Sequence, residues 1–404
     1  MRNRFYQVMS ALLVALTSFG CSSRGDLVEL AQYTVGDTLF VETTPSSVTA
    51  PSLYSFQLDL TIGVEDGEEP YVLSGFDAVS EDEAGHIYLS NQRDREIKIF
   101  DSAGSFVRKF GRQGGGPGEF NSNYWGWFDV TPVGDDYLTV EDLPSLRVFD
   151  REGNYETSFD FSLLPNRMEG RGSVSGGIHW YPDIGKLITA WRESGPLDER
   201  MCGILTINED LTQPDLLPRV LEPNGLYQEE GRGVSIPFSP SFHWTVTGDG
   251  TVVWGVSNTY RLHSYNLKTD VWTVTVLRID PEPVTGADIE TFKENFLSRG
   301  DQEMREAFEP LLNRMQYPNN KPFYNDIMGD DLGRIWVQRN SSSWDAGEQD
   351  SYLYDLFSSE GKWLGQVDSP GRIMHVRGDH AYMRGSDEFP TLVRYQLLEA
   401  PESP

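Results

Sequence analysis

The sequence predicts an all-β fold, a six-bladed β-propeller, from three observations. A pattern of four short apolar strands joined by turns recurs about six times along the chain. The clearest copy has strands at residues 87–90, 96–100 and 105–110 and ends in a glycine-rich crossover, 110–120. The last copy lacks one strand, and a spare strand lies near the N-terminus. Repeats of four short strands are typical of propeller blades.

The copies and the spare strand together predict a closed ring. The copies span residues 76–111, 128–161, 176–220, 239–279, 324–367 and 372–398. The strand at 56–63 leads to Phe76-Asp77 by the same kind of step that leads from Phe110 to Phe128-Asp129. We therefore predict that 56–63 is the outer strand of the last blade, so that no edge stays open. An isolated hairpin arm is the alternative.

One region has helical rather than strand periodicity. Ile289, Phe292 and Phe296 recur at helical spacing, and the pattern resumes from Met304 to Leu312. Thr285 and Asp288 are both suitable N-caps. Residues 286–315 are thus predicted to be a small helical insertion between blades four and five.

The N-terminus carries export signals. Residues 1–20 contain a basic start and an apolar core at 8–16, too short for a spanning helix, and so predict a signal peptide. Gly20 before Cys21 is similar to the lipobox of bacterial lipoproteins, although Ser18 stands where leucine is usual. That resemblance implies lipidation of Cys21 and a tether to the membrane. A plain cleaved signal is the alternative.

These signals define the expected organisation and location. Residues 21–52 should be a lipidated N-terminal segment and linker, 53–399 the propeller, and 400–404 a tail. A short hairpin is predicted from 32–35 and 39–42. We expect an exported protein, lipid-anchored to the cell envelope and facing the periplasm or the outer membrane.

Charge and cysteine content exclude some partners. The net charge of −29 disfavours nucleic acid, which needs clustered lysine and arginine. It also repels anionic headgroups, so membrane attachment is expected only through the lipid. If Cys21 is lipidated, Cys202 has no intrachain disulfide partner. Its strand, 201–206, favours a buried core residue.

The first copy resembles a known repeat family. The stretch from Gly85 to Phe120 resembles NHL repeats and the six-bladed β-propellers of bacterial envelope lipoproteins. The family's usual Asp after the second strand is Asn91 here, and an Arg of its third strand is Glu96. The other copies match by pattern only, over residues 55–399. The resemblance implies a propeller, but such propellers include protein-binding, RNA-binding, lyase and lactonase-like members.

The lengths of the loops single out one face. In a four-stranded blade the first and third turns lie on one face, and the middle loop and the crossover lie on the other. The first and third turns are short here, as at Ala84-Gly85 and Glu152-Gly153. The long excursions belong to the other class. They are 114–124, 193–200, 222–237, the helical insertion, 340–350 and 385–390. Because long loops on a rigid scaffold often carry recognition, we predict a ligand funnel on this crossover face, partly capped by the helices.

Arginine and tryptophan residues near that face are candidate ligand contacts, because both types anchor polar or carbohydrate-like molecules. The candidates are Arg93, Trp125, Trp127, Arg192, Arg339, Trp344 and Arg384. The alternative is that each tryptophan packs between blades and each arginine pairs with a nearby acid. The expected partner is an unknown protein or a small polar or carbohydrate-like ligand.

Catalytic signatures are weak. The loop 114–118 lacks the Gly-Lys-Ser/Thr ending of a phosphate loop, and the six histidines lack zinc spacing. No catalytic residue and no cofactor is predicted, while a divalent metal in the central tunnel stays open. Asp77 and Asp129 hold equivalent positions there, although a structural role is the alternative. The predicted function is a non-catalytic binding or protein-interaction module. The alternative is a metal-dependent lactonase-like hydrolase, or a lyase, in the tunnel.

Overall fold

The computed structural model describes residues 28–45, 52–121, 128–164, 172–196, 199–229, 231–340, 351–385 and 388–400. These residues form six β-sheets, each one blade, arranged around a central channel. Neither α-helix in the described part is long and apolar enough to cross a membrane.

The N-terminal segment contributes three strands. They are β1 (Val28–Val35), β2 (Thr38–Pro45) and β3 (Tyr54–Ile62). The first blade contains β4 (Ala78–Glu81), β5 (Ile87–Asn91), β6 (Glu96–Phe100) and β7 (Phe106–Phe110). The second contains β8 (Val130–Val133), β9 (Tyr137–Asp142), β10 (Ser145–Asp150) and β11 (Tyr155–Asp160). In both blades consecutive strands pair antiparallel, as their short turns dictate.

Blade 3 is the least regular. Its inner and outer strands are each split in two. The strands are β12 (Gly172–Val174), β13 (His179–Tyr181), β14 (Lys186–Glu193), β15 (Met201–Asn208), β16 (Asp215–Leu216) and β17 (Val220–Leu221). Cys202 in β15 is buried and unpaired, and burial raises the pKa of its thiol to about 12. These properties suit a core residue.

A hairpin precedes blade 4 and the remaining blades are regular. The hairpin is β18 (Leu226–Glu229) and β19 (Arg232–Ser235). Blade 4 contains β20 (Phe242–Val246), β21 (Thr251–Val256), β22 (Arg261–Asn266) and β23 (Trp272–Leu277). Blade 5 contains β24 (Tyr324–Gly329), β25 (Ile335–Arg339), β26 (Tyr352–Phe357) and β27 (Trp363–Ser369). Blade 6 contains β28 (Ile373–Arg377), β29 (His380–Arg384) and β30 (Leu392–Glu399), with β3 as its outer strand.

The predicted ring closure is confirmed. Strand β3 pairs antiparallel with β30 and completes blade 6. The Arg394 side chain in β30 bonds to Asp59 in β3, with 2.6 Å between Nε and Oδ2. Two ends of the chain, far apart in sequence, therefore share one sheet.

The N-terminal hairpin occupies a place that the sequence does not predict. Strand β2 pairs in parallel with β23, so that β1 and β2 extend blade 4 to six strands. On blade 5 the Leu53 amide donates to the Gln366 carbonyl at 2.7 Å. The N-terminal segment thus contacts the outer edges of blades 4, 5 and 6 in turn.

Neighbouring blades pack through apolar faces. Between blades 1 and 2, Tyr88 and Ile97 meet Val130 and Leu138 in one buried cluster. Phe120, from the glycine-rich crossover, is buried in the same cluster. Gly111 is required there because its φ is +90° and a Cβ would lie 2.4 Å from the Phe120 ring. The crossover is therefore part of the core.

Many acidic residues of the short turns have structural roles. One carboxylate oxygen of Asp330 accepts from the amides of Leu332 and Arg334 at 3.0 and 2.8 Å. Its other oxygen accepts from the Trp336 indole at 2.9 Å. Asp82 bonds in the same way to the amide of His86 at 2.8 Å and the Tyr88 hydroxyl at 2.8 Å. Such bonds stabilise tight turns and explain part of the negative charge.

The helical insertion between blades 4 and 5 is confirmed. It contains α1 (Gly286–Ser298) and α2 (Gln302–Arg314). Thr285 and Asp288 form a capping box at the start of α1. The two helices pack on the β18–β19 hairpin through a buried cluster that includes Val234, Phe292 and Leu311. We call this unit, residues 226–235 with 286–315, the insertion module.

Candidate functional site

The six inner strands surround a channel of 1490 Å³ that is open at both faces. Its lining draws on β4, β8, β13, β20, β24 and β28. Each of these strands pairs on one side only, so its other edge faces the channel. At one opening lie Asp77 and Arg384, and at the other lie Glu83 and Lys268. The channel is thus a large, polar, water-accessible space.

One opening lies on the crossover face, because the chain enters every inner strand and leaves every second strand there. We call this opening the crossover mouth. Its charged and polar lining residues include Asp77, Gln92, Asp129, Asp326, Gln338, Tyr352, Arg372 and Arg384. No residue of α1 or α2 is among the described residues that line the channel. The expected partial capping of the funnel by the helices is therefore not seen there.

Asp77 and Asp129 share one side of the crossover mouth. Each directly precedes the inner strand of its blade. Asp77 accepts a hydrogen bond from the Gln92 amide at 2.5 Å. Desolvation in the channel raises the pKa of Asp129 to about 6, and the charge of Asp77 adds to the shift. Among the described residues, neither carboxylate has an ion-pair partner.

A second polar group lies on the wall between blades 5 and 6. Arg372 Nη2 lies 3.1 Å from Asp326 Oδ2 at the rim. In the β24–β25 ladder Asp326 faces Gln338, and Gln338 faces Tyr354 across β25–β26. The Tyr354 hydroxyl is fixed by the Ile373 amide, which donates to it at 2.8 Å. This wall therefore combines a carboxylate, a guanidinium, an amide and a phenol.

Arg384 is the one described ligand candidate from the sequence that lines the channel. Its Nη2 donates to the Phe76 carbonyl at 2.6 Å, and its guanidinium lies 5.0 Å from the centre of the Phe76 ring. Among the described residues it has no carboxylate within ion-pair distance. Its charge is thus available at the crossover mouth.

Arg339 lies elsewhere, beside a separate cavity of 650 Å³ between blades 4 and 5. Its guanidinium pairs with Asp355, with 3.2 Å between Nη2 and Oδ1, and stacks on Tyr260. Tyr260 and Trp363 also donate to that carboxylate, at 2.5 and 2.9 Å. These contacts give Arg339 a structural role, and a ligand-binding role for it stays a prediction.

The remaining candidates are not brought together. Arg192 pairs with Glu222 on blade 3, with 2.7 Å between Nη2 and Oε1. Arg93 is exposed in the turn between β5 and β6 and does not line either cavity. Trp125, Trp127, Trp344 and the lipidation candidate Cys21 lie outside the described residues.

The sequence analysis does not predict four residues of the crossover mouth, namely Asp326, Gln338, Tyr352 and Arg372. One signal was available, since an aromatic residue is followed by aspartate within two positions at the start of the first, second and fifth copies. The sequence analysis also does not single out Glu141, which lies buried between blades 2 and 3. Its carboxylate accepts from the amides of Gly177 and Ile178 at 3.2 and 2.9 Å. Desolvation raises its pKa to about 7.

The described side chains do not assemble a metal site. No three histidine, cysteine, aspartate or glutamate side chains in the described ranges are placed to share one ion. Asp77 and Asp129 supply two carboxylates, fewer than the six to eight oxygen ligands that calcium takes.

Comparison with solved structures supports the fold. A DUF4221-family protein from Bacteroides vulgatus has a TM-score of 0.51 at 12% identity, covering 87% of this chain and 100% of that one. The chain is a six-bladed β-propeller. A Bacteroides fragilis protein thought to be exported gives 0.48 at 10% identity, covering 90% and 100%. A streptogramin B lyase gives 0.41 at 10%, covering 87% and 100%.

No protein-family model and no curated protein matches the sequence. The function of the propeller therefore has to be argued from the site itself.

Proposed function

We propose that this propeller is an exported, lipid-anchored binding module that takes a polar ligand at the crossover mouth of its channel, without chemistry of its own. The sequence predicts recognition on the crossover face, and we assign it to one opening on that face. That opening is lined by residues of blades 1, 2, 5 and 6.

One observation carries the proposal. The crossover mouth holds charged groups that have no partner of opposite charge among the described residues. Asp77 and Asp129 have no cation partner and Arg384 has no carboxylate partner among the described residues. Groups held near a channel without partners can bind a ligand without first breaking internal ion pairs.

Polar groups between the blades differ in this respect. Asp142 lies 3.2 Å from Arg147 and accepts from the Asn121 amide at 3.0 Å. Asp355 is bonded by Arg339, Tyr260 and Trp363. These buried acids stabilise the packing of blades. The contrast supports a recognition role for the crossover mouth.

A binding screen tests the proposal. Purified protein would be titrated calorimetrically with soluble oligosaccharides and with short synthetic peptides. We expect at least one class to bind, with affinity reduced tenfold or more by Arg384→Ala or Asp77→Asn. Lys362→Ala is the matched control, because Lys362 is exposed in the turn between β26 and β27 and lines neither cavity. Binding that survives both mouth substitutions would contradict the proposal.

Asp129 supports the alternative, an enzyme. A carboxyl group with a pKa of about 6 is suited to proton transfer near neutral pH. The alternative predicts turnover of simple lactones, with or without added Ca²⁺ or Mn²⁺, that disappears in Asp129→Asn. Such activity would favour the lactonase-like reading over pure binding.

The anchor is a further part of the proposal. Gly20-Cys21 resembles the lipobox of bacterial lipoproteins, and β1 begins at Val28, seven residues after Cys21. Seven extended residues reach about 25 Å, so a lipid on Cys21 would keep the outer edge of blade 4 close to the membrane. Cys21→Ala should release the protein from the membrane fraction, while Cys202→Ala should not. Retention of the Cys21→Ala variant would contradict lipid anchoring.

A further inference from the structure

We infer that the wall of the crossover mouth formed by Asp326, Gln338, Tyr352 and Arg372 is a subsite for a neutral sugar. We call it the blade 5–6 wall. The inference rests on the proposed binding function and names its ligand class.

Gln338 is the strongest sign of a ligand. The residue is only 7% exposed and lines the channel. Within the described part of the chain its side-chain amide has no hydrogen-bond partner. Its amide atoms are not among the fully buried unpartnered atoms of the described residues, so channel water reaches them. A ligand hydroxyl in the channel could replace that water, because it can both donate to the amide oxygen and accept from the amide nitrogen.

The ion pair at the rim offers complementary groups. Asp326 and Arg372 are 45% and 63% exposed in their side chains, so both reach the channel water. Asp326 Oδ1 accepts from its neighbour Ile327's amide at 2.9 Å, and Oδ2 bonds to Arg372. The remaining lone pairs and guanidinium hydrogens lie side by side. Adjacent acceptor and donor groups of this kind suit the vicinal hydroxyls of a sugar.

Tyr352 adds an aromatic surface. It is half-buried at the start of β26 and lines the channel beside this wall. An aromatic ring offers an apolar body and a polar hydroxyl within one rigid side chain. A sugar presents the same combination, since its C–H face is apolar and its edge is polar.

The charge balance favours a neutral ligand. Asp326 and Arg372 cancel each other, while the whole chain carries −29 and disfavours anions. An extended peptide would bind differently, by pairing with the free main-chain edge of an inner strand. Its affinity would depend little on the Gln338 amide. The wall therefore fits a saccharide better than a peptide.

Calorimetric titration with defined hexasaccharides tests the inference. The probes are the malto-, cello-, laminari-, xylo- and chito-oligomers, and a set of neutral peptides is titrated in parallel. We expect at least one saccharide to bind, and Gln338→Met and Arg372→Ala each to weaken it tenfold or more. Lys362→Ala, at an exposed residue that lines neither cavity, should change the affinity by less than twofold. Arg372→Ala keeps the test valid if Gln338→Met fails to fold, since Arg372 is exposed.

The outcomes separate the two proposals. If no saccharide binds, or if neither Gln338→Met nor Arg372→Ala weakens binding, the proposed sugar subsite is wrong. If peptides bind instead and Arg384→Ala weakens them, the sugar class fails but the binding function stands. If neither class binds, the binding function fails as well.

Discussion

Arg339 of blade 5 forms a buried ion pair with Asp355 of the same sheet, and Tyr260 of blade 4 covers its guanidinium. Removing one partner of such a pair leaves a buried charge uncompensated. We expect Arg339→Ala to lower the free energy of unfolding by about 3–5 kcal/mol, measured by urea denaturation.

Arg384→Ala is the matched comparison, because Arg384 ends the second strand of blade 6 as Arg339 ends that of blade 5. It should cost less than about 1 kcal/mol, since its loss leaves no buried charge. Equal losses of stability in the two variants would show that Arg384 also holds the fold together.

Asp129 should make the propeller less stable as pH rises. Its pKa is about 6 in the folded state and about 3.9 when unfolded, so the folded state binds more protons in between. The free energy of unfolding should therefore fall from pH 4 to pH 6 by up to about 3 kcal/mol and stay low above that. Asp129→Asn removes this loss. The variant should match the natural protein at pH 4 and exceed its stability at pH 7.5.

Asp136→Asn serves as control for that comparison, because Asp136 lies exposed in a turn. It should leave the pH profile unchanged. If Asp129→Asn also leaves it unchanged, the carboxylate is compensated in the channel.

His380 should stabilise the seam between blades 6 and 1 at lower pH. Its Nδ1 lies 3.2 Å from both carboxylate oxygens of Glu81, and this hydrogen bond raises the pKa of the imidazole. The stabilisation is present below the unfolded pKa of about 6.5 and is lost as pH rises through the higher folded value. Asp379 and Arg394 also face the ring and act in opposite directions.

We expect His380→Gln to lose stability relative to the natural protein at pH 5.5, by about 1 kcal/mol or less, and to differ little at pH 9. Urea denaturation at both pH values measures the difference. A larger loss at pH 9 than at pH 5.5 would have the wrong sign for this ion pair.

The insertion module should unfold separately, while the propeller ring stays folded. Its apolar cluster, around Phe292 and Leu312, is separate from the clusters between the blades. Phe292→Ala should therefore cost about 3–5 kcal/mol locally. Hydrogen exchange should speed up in β18, β19, α1 and α2, while the blade strands keep their protection. Faster exchange throughout blades 4 and 5 would show that the module belongs to the propeller core.

Much of the fold was predictable because blade hairpins are local. Short turns such as Ala84-Gly85 join strands that pair with their sequence neighbours. Counting the repeats therefore predicts the number of sheets. The closure of blade 6 by β3 was also predictable, since the last copy lacks one strand. The docking of β1–β2 on blade 4 was not, because it depends on parallel pairing with β23, more than 200 residues away.

The site was less predictable, and Arg339 and Arg384 show why. Each is the last residue of the second strand of its blade, and the sequence offers both equally as candidates. The strand register gives the two arginines different neighbours. Asp355 faces Val337 in blade 5, whereas Arg394 faces Tyr382 at the matching position in blade 6. Arg339 therefore finds a carboxylate within its sheet, and Arg384 does not.

The amino-acid sequence by itself determined the number of blades, the closing strand and the face that carries the long loops, because these follow from strand periodicity and turn length. Only the tertiary structure decided which charged side chains remain unpaired at the channel. That outcome depends on strand register and on contacts between blades distant in sequence, and no local pattern encodes it.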